Sequence, residues 1–308
     1  MKDKFKNLDD IPLNTTLSDL FRWRRERKGK IKDISFRVPQ AELKQIDFLK
    51  TNKKQPSLTW VGHATFLIQL GGLNILTDPV WAQRLGTAKR LVLPGLMLTE
   101  LPQIDVVLIS HNHYDHLDFR SLRKLAGDPT FLIPKGLGLS FSRKGLKNTQ
   151  EFQWWEDIKL GQVSCTFVPA QHWSKRSLWD TNRTLWGGWM IKEDNINKSI
   201  YFVGDSGYFR GFQEIANRFT VDIFLAPIGC YEPEWFMEIQ HITPEQAVQA
   251  YVDVGANLFI PMHYESFQLG DDTPQEALDR LIAEWGRRQH PANALKLFKL
   301  GETLVFNL

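Results

Sequence analysis

His111-Asn112-His113-Tyr114-Asp115-His116 follows one residue after the apolar run Val106-Val107-Leu108-Ile109. Three imidazoles and a carboxylate within six residues, at the mouth of a buried strand, have no packing role, but they are the donors that zinc and related ions take. The stretch therefore reads as a metal site at a strand-to-loop junction. Any further ligands should come from other strand ends, because loops at one edge of a sheet converge on a point.

The rest of the chain can supply such a sheet. Its 308 residues, 43% hydrophobic and 24% charged, provide ample core for a large globular domain. No apolar stretch approaches the roughly 20 residues of a membrane-spanning helix, and Met1-Lys2-Asp3-Lys4-Phe5-Lys6 lacks the apolar segment of a secretion signal. A soluble, cytoplasmic protein is expected. Cys165 and Cys230 lie in or beside apolar runs at no zinc-finger spacing, which predicts buried free thiols and leaves the metal to histidine and carboxylate. The net charge of +3 is unevenly placed: residues 22–32 carry seven basic side chains against Glu26, a local +6, so the remainder carries −3. With Phe21 and Trp23 alongside, this segment reads either as a solvated arm or as a surface for anionic lipid or a phosphate backbone.

Residues 1–55 are polar with scattered apolar positions and read as an N-terminal extension containing one short helix, ahead of a domain over 56–308. From Leu58 onward apolar runs of strand length recur: Leu58–Val61, Thr65–Leu70, Asn74–Thr77, Val106–Ser110, Thr130–Ile133, Cys165–Val168, Leu185–Ile191, Ser199–Val203, Ile223–Ala226, Leu258–Pro261 and Leu304–Asn307. Gly71-Gly72 signals a hairpin. Thr243-Pro244-Glu245-Gln246 opens a helix with a capping threonine, a proline at the first helical position and a glutamine at the third, and Gly255 closes it. Thr273-Pro274-Gln275-Glu276 repeats the arrangement before a helix to about Gly286, and a third helix is expected from Asp118 to before Gly127. Hairpins first, then strands alternating with helices, predict an α/β protein of two face-packed sheets with helices outside.

Three ligand-type residues stand just beyond apolar strands: His172 after Cys165–Val168, Asp205 after Ser199–Val203, and His263 after Leu258–Pro261. Any one alone reads best as a satisfied structural residue; three in the same context, added to the hexapeptide, do not. The order His111-x-His113-x-Asp115-His116, His172, Asp205, His263 resembles the binuclear ligand set of the metallo-β-lactamase superfamily. Within it the chain is similar to the N-acylphosphatidylethanolamine-hydrolysing phospholipase D family. The likeness is carried by Trp60-Val61-Gly62-His63-Ala64-Thr65, Leu76-Thr77-Asp78-Pro79, Gln171-His172-Trp173-Ser174-Lys175-Arg176, Gly204-Asp205-Ser206-Gly207-Tyr208 and Gly229-Cys230-Tyr231-Glu232-Pro233. The resemblance implies an αββα sandwich with two zinc ions at one edge. It gives His111, His113 and His172 to the first ion, Asp115, His116 and His263 to the second, and Asp205 to both. Iron and manganese accept the same mixed donors.

The resemblance also implies a phosphodiesterase in which a metal-bridging hydroxide attacks phosphorus, with Asp115, Asp205 and His241 in the catalytic machinery. Tyr114, His241 and Lys175 would face a phospholipid substrate, and a homodimer and peripheral contact with the inner face of a membrane are further implications. Against these stand plainer roles: His241 as a hydrogen-bonding residue ahead of a capped helix, and Lys175 as a solvated cation. His63, expected early in a strand, reads as support for a ligand or as a core hydrogen-bonding residue rather than a direct ligand, and Asp78 as a group that orients a ligand imidazole or satisfies loop amides. Leu91-Val92-Leu93-Pro94-Gly95-Leu96-Met97-Leu98 reads as buried core or as a membrane-facing or acyl-chain-lining lip. A lactonase is the alternative enzyme, since the same hydroxide attacks a cyclic ester. Nucleic acid is the less favoured partner because the overall charge is nearly balanced.

Overall fold

Apolar runs without polar alternation call for strands buried on both faces, and the strands are placed accordingly. The computed structural model describes residues 4–12, 16–30 and 32–306; Met1 to Asp3 and Asn307, included in the expectations above, lie outside these. The strands are β1 (Ser57–Gly62), β2 (Thr65–Leu70), β3 (Leu73–Thr77), β4 (Arg84–Leu85), β5 (Ala88–Lys89), β6 (Val106–Leu108), β7 (Thr130–Pro134), β8 (Thr149–Phe152), β9 (Asp157–Leu160), β10 (Val163–Val168), β11 (Gly188–Glu193), β12 (Lys198–Phe202), β13 (Ile223–Pro227), β14 (Leu258–Met262) and β15 (Thr303–Val305). The α-helices are α1 (Leu17–Arg27), α2 (Ile46–Thr51), α3 (Phe119–Leu122), α4 (Gly138–Arg143), α5 (Gly211–Ala216), α6 (Glu234–Met237), α7 (Pro244–Val254) and α8 (Pro274–Arg287).

One sheet has the order β15-β1-β2-β3-β6-β7-β8 and the other β14-β13-β12-β11-β10-β9, with β4-β5 a separate ribbon. The period-2 geometry of a strand divides its side chains between two cores. On β2, Phe66, Ile68 and Leu70 join the larger core between the sheets, while Leu67 faces the outer layer of Leu49, Leu122 and Phe141. Val106 and Leu108 of β6 point inward, and Val107 and Ile109 outward. Helices α7 and α8 cover the outer face of the second sheet, which completes the αββα sandwich. Gly71 and Gly72 both have positive φ (+56° and +79°), as the tight β2–β3 hairpin requires. Both capping boxes form: Gln246 N–H donates to Thr243 Oγ1 and Thr243 N–H to Gln246 Oε1, with the same exchange between Thr273 and Glu276.

Four expectations change. The helix after Asp118 is a single turn, Phe119–Leu122, after which Lys124 N–H and Leu125 N–H donate to Ser121 O and Leu122 O in tight turns rather than extending the helix. His63 lies in the β1–β2 turn with φ +55°, not early in a strand. Cys165 is a buried free thiol, its pKa pushed up by burial to about 12, but Cys230 is only half-buried, on a cavity wall. Within residues 4–55 the one expected helix is two, α1 and α2, and the scattered apolar side chains, which as expected make no core of their own, are not left as a free extension. They dock on the core of the sandwich: Leu49 and Val38 are buried, and Phe5, Leu8 and Phe36 pack against the larger core.

The topology fixes where chemistry can occur. Strands β3, β6, β7 and β8 run parallel in the first sheet; in the second, β12, β13 and β14 run parallel, and β10 shares their direction because it is antiparallel to β11, as β11 is to β12. Their carboxyl ends gather at one edge, the usual ligand side of such sheets. Among the described residues no helix is long and apolar enough to cross a membrane.

Candidate metal centre

Asp78 follows β3, the hexapeptide follows β6, His172 follows β10, Asp205 follows β12 and His263 follows β14, and all meet at this edge. The approach is close. Gly204 has φ +66°, and a Cβ there would lie 2.7 Å from Ser110 Cβ, so only glycine lets Asp205 enter beside the His111 loop. His63, Asp78, Cys230 and His263 also have left-handed backbones, each costing on the order of 1–3 kcal/mol that the surrounding packing offsets.

Two groups of donors result. His111 Nε2 and His172 Nε2 lie 2.9 and 3.1 Å from His113 Nδ1. His263 Nε2 lies 3.1 Å from His116 Nε2 and 3.2 Å from Asp115 Oδ2. Asp205 stands between them: its Oδ2 is 3.9 Å from His111 Nε2 and from His172 Nε2 and 3.2 Å from His116 Nε2, and its Oδ1 is 3.2 Å from His263 Nε2. The outer hydrogen bonds decide which nitrogens carry protons. His172 Nδ1–H donates to Gln240 O (2.9 Å), and His116 Nδ1–H donates to Asp78 Oδ2 (2.7 Å). His111 Nδ1–H donates to Ser110 Oγ (2.9 Å), whose hydroxyl donates in turn to Asp78. The Nε2 lone pairs of these three rings therefore point into the cluster. Lone pairs facing one another at about 3 Å repel unless a cation lies between them, and a tetrahedral ion with Zn–N bonds of 2.0–2.1 Å needs ligand nitrogens about 3.3–3.4 Å apart. The residues present thus fit a metal, with Asp205 shared between the two groups.

Electrostatics agree. Burial holds His111 and His172 well below the ordinary imidazole range and His113 down to about 4, which keeps their lone pairs free. Burial disfavours charge on Asp205 and Asp115 too, but neighbouring histidines, His116 foremost, outweigh it and keep both ionised. His116 differs: burial opposes its charge, but Asp205 and Asp115 outweigh burial and raise its pKa well above the usual value, so a cation beside these two carboxylates takes the place of a proton on Nε2.

Around this centre lies a cavity of about 900 Å³. His113, Asp115, Asp205 and His241 line its floor, and Tyr114, Trp173, Leu178 and Phe236 are among its walls. The His241 ring is buried with Nδ1 unpartnered, 3.9 Å from Asp205 Oδ2, and makes no capping bond to α7; burial lowers its pKa to about 4. Tyr114 is 54% exposed, its hydroxyl donating to Arg176 O and its ring lying under the Arg176 guanidinium at 4.0 Å. Lys175 also lines the cavity.

Several contributors escaped the sequence reading. Leu20 and Trp23 of α1 form part of the cavity wall, with Trp23 against Phe236 (ring centroids 5.2 Å apart) and its Nε1–H donating to Asp271. Asn112, which carried no assigned role, accepts from Lys175 N–H at Oδ1 (2.8 Å) and from Arg176 at its carbonyl, tying the hexapeptide to the His172 loop. His63 Nε2 lies 3.1 Å from Asp115 Oδ2, close enough to join the second group. Asp78 takes both expected roles, orienting His116 and accepting from Ser110 N–H. Leu91–Leu98 does not line this cavity. Leu96 is buried in the outer core, and Gly95 is pressed against Gly301, where a Cβ would come within 2.1 Å of the backbone nitrogen.

The model of the beta-lactamase superfamily domain matches residues 73–264, which contain every one of these strand-end donors except His63. The chain belongs to the metallo-β-lactamase superfamily. It is 35% identical over 247 residues to the mitochondrial N-acyl-phosphatidylethanolamine-hydrolyzing phospholipase D of Saccharomyces cerevisiae, covering 74% of this chain and 52% of the yeast protein. It is 36% identical over 231 residues to N-acyl-phosphatidylethanolamine-hydrolyzing phospholipase D 1 of Caenorhabditis elegans, covering 69% of this chain and 64% of the relative. The chain thus spans little more than half to under two thirds of these relatives. A UPF0173 metal-dependent hydrolase of Koribacter versatilis is 30% identical over 229 residues, 71% of this chain and 88% of that protein. Among solved structures, the metallo hydrolase Igni18 of Ignicoccus hospitalis superposes with a TM-score of 0.64 at 23% identity, covering 83% of this chain and all of that one, and so supports the fold.

Proposed function

We propose that this superfamily member is a two-zinc phosphodiesterase of phospholipase D type, acting on N-acylphosphatidylethanolamine or related glycerophospholipids. The observation that carries the reading is the cavity itself, an apolar-walled funnel ending on His113, Asp115, Asp205 and His241. It suits an amphiphile whose tails lie on Trp173, Leu178 and Phe236 while a phosphodiester reaches the charged floor. The yeast and nematode relatives, both named N-acyl-phosphatidylethanolamine-hydrolyzing phospholipases D, point to the same substrate class. His111, His113 and His172 would hold one ion, Asp115, His116 and His263 the other, and Asp205 both. Ions bound there would supply Lewis acidity and would lower the pKa of a coordinated water from 15.7 towards about 7.

The chain's own groups do the rest. Asp205 and Asp115 hold the ligand histidines in register and offset positive charge. His241, neutral and unpartnered at Nδ1, offers a hydrogen bond to a phosphoryl oxygen or to the departing group. Tyr114 and Lys175 border the head-group region. His241→Asn is expected to lower kcat about 10²-fold with bound metal unchanged, checked by steady-state kinetics beside metal analysis; loss of metal in the variant would instead make His241 a ligand.

A membrane surface is the proposed place of work. Leu178 and Trp179, 80% and 82% exposed, project beside the cavity mouth, and Phe21 next to Leu20 is 66% exposed. Arg22, Arg27 and Lys32 are engaged by Glu26, Asp271, Glu232 and Glu276, which leaves exposed Arg24, Arg25, Lys28 and Lys30 for anionic head groups. One assay tests substrate and surface together: zinc-loaded protein given N-acylphosphatidylethanolamine in anionic and in neutral vesicles, a lactone series and a generic phosphodiester. The phospholipid in anionic vesicles should be hydrolysed fastest, with the advantage shrinking as salt rises. Preference for lactones would overturn the substrate class, and indifference to vesicle charge the surface.

A further inference from the structure

Asn7 lies outside residues 73–264, the segment shared with the superfamily, yet it reaches the metal centre. Its side chain is buried, the residue being 7% exposed, and its Oδ1 accepts two hydrogen bonds, from His172 N–H (3.0 Å) and from Trp186 Nε1–H (3.0 Å). The arm that carries it is pinned on both sides. Phe5 N–H donates to Asn182 O (2.8 Å), Phe5 and Leu8 pack against the core, and Asp9 pairs with Arg210 (2.6 Å).

His172 is consequently held at two points, its ring by Gln240 O at Nδ1 and its backbone by Asn7. It stands in irregular chain after β10, where no sheet ladder takes its N–H, and a buried N–H without an acceptor makes the loop move to find one. A shift of the backbone there displaces Nε2 from its place opposite His113 Nδ1. Among the described residues, no other ligand histidine has its backbone fixed by a side chain from this arm.

We propose that Asn7 is a positioning residue of the metal centre: the N-terminal arm sets the His172 backbone and thereby the third nitrogen of the His111, His113 and His172 group. This rests on the reading of that group as a metal site. The arm is then part of the catalytic unit although it lies outside the shared segment.

The test is release of zinc from the loaded 308-residue chain to a chromophoric chelator. Asn7→Ala should release one of two equivalents at least about tenfold faster than the parent, the scale of lost support around a ligand, with the other equivalent unchanged. Asn7→Asp, which keeps an acceptor for both N–H groups, should restore slow release. Lys6→Ala, which breaks only the exposed pair with Asp10 on the same arm (3.1 Å), should release as the parent does. Thermal unfolding of the chelated proteins supplies the second readout. Wild-type release rates from Asn7→Ala, or equal acceleration of both equivalents with a matching loss of stability in the chelated form, overturn the positioning role. Failure of the parent chain to bind zinc overturns the metal reading as well.

Discussion

Asp205→Ala should reduce hydrolysis by at least about 10³-fold, roughly 4 kcal/mol of transition-state stabilisation, and lower the zinc content of the purified protein. Asp205 is the only carboxylate within 4 Å of both donor groups among the described residues: Oδ2 lies 3.9 Å from His111 and His172 and 3.2 Å from His116, and Oδ1 3.2 Å from His263. Removing it would leave six donors around the two proposed cations with one negative side chain, Asp115, to offset their charge. It would also leave the spacing between the ions unfixed. The left-handed Gly204 shows how much local structure is committed to bringing this one carboxylate in. Metal analysis and turnover should fall together, and Asp205→Asn, which keeps the shape and one oxygen, should retain more metal than activity. Normal turnover in either variant, or in protein stripped of metal, would remove Asp205 from the mechanism.

Asp78→Ala should weaken zinc binding by about 10–100-fold and destabilise the metal-free fold by about 3–5 kcal/mol, the scale for breaking a buried charged pair. Asp78 touches neither proposed ion but supports one ligand of each. It accepts from His116 Nδ1–H directly and, through the Ser110 hydroxyl, it anchors His111. Its other oxygen accepts from Ser110 N–H at 2.7 Å, which fixes the backbone at the start of the hexapeptide. With the carboxylate gone, His116 loses the hydrogen bond at Nδ1 that turns its Nε2 inward, the Ser110 hydroxyl that orients His111 is left unanchored, and three buried donors lose their acceptor. Chelator competition measures the first effect, and thermal unfolding with and without zinc the second. An unchanged zinc affinity would mean that the rings are held by packing alone.

The parts of this protein legible in its sequence are those where a strong local pattern coincides with the chemistry. A buried strand announces itself as an apolar run, so a histidine or aspartate just beyond it stands out; that is how His111, His172, Asp205, His263 and Asp78 could be read. The capping boxes at Thr243 and Thr273 were equally plain. Edge strands β8 and β9, Thr149–Phe152 and Asp157–Leu160, each keep a partly solvated face and mix charged with apolar residues, so they lack the signal of the central strands. Helices α4, α5 and α6, of four to six residues, are too short to show a 3.6-residue period. Asn7 and Trp23 were hidden for another reason. Their partners, His172, Trp186 and Asp271, lie more than 160 residues away, and a polar amide or an indole in a charged segment carries no mark of where it docks. The basic run from Arg22 to Lys32 was visible as charge, but only the fold shows that three of its cations are spent on internal carboxylates.

The central claim is that seven side chains hold two ions at the carboxyl edge of the two sheets. Anomalous diffraction at the zinc edge, from crystals of the zinc-loaded protein, tests it most directly. Two peaks are expected about 3.5–4 Å apart, one among His111, His113 and His172 and the other among Asp115, His116 and His263, with Asp205 against both. A single peak, or peaks away from these residues, would contradict the account.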